Sequence, residues 1–169
     1  MATYKLINSA TVGSGGAANI QFTNIPATYT DLVLFTSLKT SYSGAQWGQV
    51  YLKFNGSSAS FSNKYFSGNG SSPGTGSDAN TTGGFATTGG TGGTNAFANN
   101  FIYILNYTSS NHKIFSTNSL PEMNTTTSLN FLGGNLWSNT AVISSISIED
   151  YNSTFVQYST AYLYGISNA

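Results

Sequence analysis

The chain has 169 residues, five lysines balanced by five acids, and only 6% charged residues, against roughly a quarter in an average soluble domain. That balance argues against a binder that neutralises nucleic-acid phosphates and against a polybasic membrane anchor. Cysteine is absent, so disulfides, thiolate nucleophiles and cysteine-ligated zinc are excluded; the lone His112 removes two-histidine metal sites and most acid–base machinery.

Ser, Thr and Asn make up roughly two-fifths of the residues, which is turn and strand chemistry rather than helix chemistry. No stretch of a dozen residues places apolar side chains at helical spacing. In chain order, alternation predicts strands at Tyr4–Asn8, Asn19–Thr23, Asp31–Thr40, Gln49–Phe54 and Phe61–Phe66. Further strands are predicted at Ala98–Tyr107, Lys113–Ser119, Leu129–Leu132, Ala141–Glu149 and Thr160–Gly165. Between them lie turn signals such as Asn55-Gly56, Ser109–Asn111 and Gly133-Gly134. Short strands with polar turns and no crossover helix predict an all-β antiparallel sandwich. The strand count favours a jelly-roll-like form over an immunoglobulin-like one.

The expected organisation is one β-sandwich domain over residues 1–169, interrupted by a long Gly/Ser/Thr-rich loop at 68–95. That loop holds one large apolar residue up to Thr94, Phe85, and loops of this length are uncommon unless functional or disordered. Met1–Ser9 turns polar after one lysine, and apolar runs such as Leu32–Phe35 fall far short of a membrane span. The expectation is a chain that first folds in a cytosol, with neither membrane nor nucleic acid as a partner.

Two strands depart from one-sided alternation. Val33 and Phe35 oppose Leu32, Leu34 and Leu38; Ile102 and Ile104 oppose Phe101, Tyr103 and Leu105. Both strands therefore read as covered on two faces, at the centre of a sheet. Either the long loop covers the outer face, with Phe85 and Phe97 as a lid, or a subunit interface does. The candidate interface is accordingly Val33, Phe35, Phe85, Phe97, Ile102 and Ile104.

Chemistry-bearing constellations are few. His112 sits in SSNHK, which reads as a surface turn between strands rather than the base of a serine nucleophile. Glu149 and Asp150 are adjacent, so they point to opposite faces when extended, and the acids read as solvated strand ends. Asp78-Ala79-Asn80 offers oxygens at alternate positions but lacks the carboxylates of a calcium loop. No catalytic residue, metal or cofactor is therefore expected. With eleven Tyr, eleven Phe and two Trp, the aromatic residues exceed what the core needs. Trp47 and Trp137 are candidate exposed contacts, suited to sugar stacking or to a flat uncharged protein interface.

Four stretches carry a resemblance: GGAANIQFTNIPATYTDLVL (Gly15–Leu34), YLKFNGSSASFSNKYFSGNGS (Tyr51–Ser71), FIYILNYTSSNHKIF (Phe101–Phe115) and the ending AYLYGIS (Ala161–Ser167). In these the chain resembles small β-rich virion structural proteins of tailed bacteriophages. The resemblance implies a jelly-roll-like sandwich, assembled as a trimer, that serves as a head decoration (cement) protein or as a module of a tail or head fibre. Such a protein is made in the host cytoplasm, resides on the virion, and has as partners its own copies and a major capsid or other virion protein. The fibre alternative adds a host receptor or surface glycan.

Overall fold

The structure, a computed structural model, describes residues 3–79, 83–126 and 128–167. Twelve strands and no helix occur among them. In chain order they are β1 (Thr3–Thr11), β2 (Asn19–Phe22), β3 (Asp31–Leu38), β4 (Trp47–Phe54), β5 (Phe61–Gly68) and β6 (Pro73–Ala79). There follow β7 (Gly83–Thr88), β8 (Ala98–Ile104), β9 (Lys113–Leu120), β10 (Asn130–Trp137), β11 (Ile146–Asp150) and β12 (Thr160–Ser167). The larger sheet has the order β1-β12-β3-β8-β9-β10-β5-β6, and the smaller one β2-β11-β4-β7. Every strand pair is antiparallel, and the two sheets enclose a common apolar core as a β-sandwich.

The chain passes between the sheets at β1 to β2, β2 to β3, β3 to β4, β4 to β5, β6 to β7, β7 to β8, β10 to β11 and β11 to β12. The pairs β5–β6 and β9–β10 stay in the larger sheet and widen it past β8. Alternation builds the core. In β9, Lys113, Phe115, Thr117 and Ser119 are buried while Ile114, Ser116, Asn118 and Leu120 are exposed. Leu32, Leu34, Ile102 and Ile104 meet Val50, Leu52 and Ile148 of the smaller sheet in one cluster. Under the widened half, Phe54 of β4 lies 5.1 Å from Phe115, 5.6 Å from Phe61 and 5.5 Å from Trp137, ring centre to ring centre.

Buried polar groups are held by backbone. Lys113 is fully buried, and its Nζ donates to the carbonyls of Ser109 (2.7 Å), Asn111 (2.6 Å) and Thr140 (3.3 Å). Burial lowers its pKa, because the charged form loses water. Tyr107, also fully buried, donates its hydroxyl to the Pro26 carbonyl. Asn55, in the left-handed region at φ 53°, accepts from the amides of Ser144 (2.8 Å) and Ser145 (3.1 Å) and fastens that segment to the end of β4.

The segment at 68–95 is not the structureless loop expected from composition. It carries β6 and β7, which pair with β5 and β4. β6 (PGTGSDA) has no large apolar residue because it is an edge strand held by backbone pairing, so it shows no alternation. Beyond β7, glycine serves close packing rather than flexibility. Gly89 and Gly90 donate to the carbonyls of Gln46 (2.8 Å) and Tyr42 (2.6 Å), backbone against backbone. A Cβ at Gly89 would lie 2.3 Å from the Ala45 carbonyl oxygen, and one at Gly90 2.9 Å from that of Ser41.

Gly89→Ala is therefore expected to cost about 1–3 kcal/mol, as overpacking does, which lowers Tm by roughly 2–12 °C in a domain of this size. Gly134→Ala, where the added Cβ meets nothing within 4 Å, should stay within about 1 kcal/mol of wild type. Thermal unfolding followed by circular dichroism checks both.

Candidate functional site

The outer face of the larger sheet is where the chain departs most from an ordinary solvated surface. Strand register lays its side chains in rows that run across the strands. One row places Tyr162, Phe35 and Phe101 side by side, then Asn118, Leu132 and Phe66. Two residues along, the next row runs Tyr164, Val33, Tyr103, then Ser116, Gly134 and Lys64. A third joins Leu105, Ile114 and Leu136. The first row is a ridge: Phe66 is 67% exposed, and Phe35 packs 5.3 Å from Phe101 and 5.8 Å from Tyr164. The second sinks over its last three positions, where serine and glycine replace rings. The result is an open trough of about 850 Å³, lined by Tyr103, Leu105, Ile114, Leu136 and Lys64 among others. Every strand that lines it except β8 belongs to the pairs that widen the sheet.

Charge is kept off this face. Asp31 belongs to its side of β3 yet is only 2% exposed. Its carboxylate accepts from the Tyr103 hydroxyl at 2.6 Å and from the Asn106 amide at 2.7 Å. Lys64 is the one exposed charge in the three rows, and no ion-pair partner for it occurs among the described residues. The ion pair that is present, Lys53–Glu149 at 2.5 Å, joins β4 to β11 in the smaller sheet.

The structure separates the residues proposed from sequence as an interface. Phe85 of the smaller sheet and Ile102 and Ile104 of the larger one are core residues between the two sheets, so they are neither lid nor interface. The apolar run in β8 hid its alternation, because both faces of a central strand carry large side chains. Val33 does point outward, but Tyr103 and Tyr164 flank it and it is fully buried. Phe35 is exposed on the outer face, and Phe97 is half-buried just before β8. Trp137 is not an exposed contact: it is 1% exposed and stacks on Phe61 at 6.0 Å. Reading Gly133-Gly134 as a turn ended β10 too early, whereas the strand continues and alternation turns Trp137 inward. Trp47 is 46% exposed at the start of β4. Missed altogether were Phe66, Ile114 and Leu132, three exposed apolar residues on one face whose signal was alternation with apolar residues outward.

Elsewhere, His112 is exposed, and its one hydrogen-bond partner among the described residues is the Ser138 hydroxyl at 3.4 Å. Asn80 lies outside the described residues, and with it the Asp78–Asn80 oxygen pattern. Among the described residues no three His, Asp or Glu gather to hold a metal. A scan against protein-family models, a search of curated proteins and a search of solved structures each find no match for the chain.

The Asp31 contact has a measurable consequence. The hydrogen bond to Asp31, aided by burial, pushes the Tyr103 phenol from 10.0 up to about 12. Between those values the folded chain keeps a proton that the unfolded chain has lost. The stabilisation is thus complete below about pH 10 and lost as pH rises through about 12. Burial raises the Tyr107 phenol as well, so ultraviolet titration should show a late-ionising fraction that shrinks by one tyrosine in Tyr103→Phe, and urea midpoints should fall more steeply over that window in wild type than in the variant.

Proposed function

We propose that this chain is a bacteriophage virion structural protein, a head decoration (cement) protein that works by contact with protein neighbours rather than by chemistry. The observation that carries the reading is the outer face of the larger sheet: rows of aromatic and aliphatic side chains, broken by Asn118, Ser116 and Gly134, with one exposed charge in the three rows. Faces of this extent on soluble proteins mark protein contacts. Strand order supports a jelly roll. Without β5, β6, β9 and β10, the remaining strands stand as β1-β12-β3-β8 and β2-β11-β4-β7, the doubled Greek-key pattern. The two added hairpins then supply most of the trough. This agrees with the resemblance to small β-rich virion proteins, and the low charge suits a protein displayed at high local density, where like charges would repel. Each bound copy favours the assembled shell by mass action.

A second reading, a fibre module that binds a host glycan, draws on Trp47, which stands exposed on β4 two residues from the exposed Gln49. An exposed ring next to an amide suits stacking on a sugar.

Gold-labelled antibody on virions of the phage that carries this sequence is expected to decorate the head in many copies. Washing at about 1 M salt, which screens ionic contacts within about 3 Å, should leave the label in place. Absence from the particle, or release by salt, overturns the decoration reading. Label confined to fibre tips, together with a glycan-array signal lost in Trp47→Ala, would establish the second reading instead.

A further inference from the structure

The rows of the outer face have a property that a general sticky surface lacks. Ridge and trough lie side by side, two residues apart, on the same strands. Leu132 stands up beside the hollow over Gly134, and Phe66 stands up beside Lys64. A two-fold axis running across the strands, midway between the two rows, exchanges them. It sets Leu132 of each copy over Gly134 of the other, Phe66 over Lys64, and Asn118 against Ser116. We propose that this face is the isologous interface of a homodimer, with the ridge of each copy seated in the trough of the other. The proposal rests on the reading of this face as a protein contact and names the partner: a second copy of this chain.

Three observations support that partner. Gly134 is not required by the fold: its φ is not positive, a Cβ there would meet nothing within 4 Å, and register runs through it without a bulge. Its neighbour Gly133 differs, since a Cβ there would lie 2.4 Å from Thr117 Oγ1. A mid-strand glycine without a local reason marks a place where another chain approaches closely. The charge also fits. Lys64, with no ion-pair partner among the described residues, meets the face of the most exposed phenylalanine, Phe66, as a cation–π pair formed twice by symmetry. The size is adequate as well. Strand and residue spacings give the face an area on the order of 800 Å², which is about what each partner contributes to a stable interface. The trimer implied by the resemblance requires two different patches per copy, whereas this self-complementary face closes on a two-fold axis.

Sedimentation equilibrium of the full chain over about 1–100 µM, the range where modest affinities show, should give a dimer. Leu132→Asp and Gly134→Phe should each weaken it at least about tenfold, with unchanged circular dichroism and, at concentrations low enough to keep wild type monomeric, unchanged Tm. Because the chain lacks cysteine, register can be read directly. Mixed Gly134→Cys and Leu132→Cys chains, treated with a bifunctional maleimide that spans the roughly 10 Å between facing sheets, should cross-link faster than either variant alone. A monomer or trimer at all concentrations, a dimer indifferent to both substitutions, or no preference for the mixed pair overturns the inference. A monomer that still binds particles and loses them on Leu132→Asp leaves the contact reading standing and removes only the second copy. A substitution-sensitive dimer never found on virions removes the decoration reading and leaves the interface.

Discussion

Four aromatic rings hold the widened half of the molecule in place. Phe54 belongs to the smaller sheet, while Phe61, Phe115 and Trp137 belong to β5, β9 and β10, the strands that widen the larger one. Phe54 packs against all three. β7 of the smaller sheet also lies against β5, β9 and β10, so the rings are the aromatic part of what seats the added hairpins, and a hairpin in water is marginal by itself. Aromatic pairs contribute about 0.5–1.5 kcal/mol each beyond their burial, so the cluster stabilises the trough on the other side of the same strands. Its cost is visible in Trp137 Nε1, which is buried with no hydrogen-bond partner.

The same economy governs charge. A chain with ten charged side chains can use few of them on any one surface. Lys113 serves as an internal clamp on three carbonyls, and Asp31 anchors a tyrosine hydroxyl and a turn amide. Both lie on strands that form the outer face, and both are withdrawn from it. The face carries a single exposed charge, Lys64, because the other charges near it satisfy buried polar groups.

Sheet content was legible because period-two alternation survives in strands with one wet face. β4 and β9 show it plainly. β6 was invisible, since an edge strand of Gly, Ser and Thr has no apolar side chain to alternate. β10 was cut short because Gly133-Gly134 carries the chemistry of a turn, although tertiary pairing holds it extended. The site was legible only in part. Two-sided hydrophobicity in β3 correctly placed large side chains on both faces, yet residue type alone does not say which face meets the other sheet. Ile102 was therefore assigned outward although it faces the core, while Leu132 and Phe66 ended predicted strands without being assigned to either face.

The antiparallel pairing of β1 with β12 joins Thr3 to Ser167 and Thr11 to Thr160. β1 has no other neighbour in its sheet. During translation it must wait, unpaired, until β12 has left the ribosome. At roughly 5–20 residues per second that interval lasts on the order of ten seconds, and loop closure over such a separation is itself slow. Tyr4 and Leu6 stay solvated in the meantime, and the outer face is complete only once β12 has emerged and β1 has closed on it. The surface most able to adhere is thus finished late, which delays adhesion between nascent neighbours on one messenger until each fold can present the completed sheet.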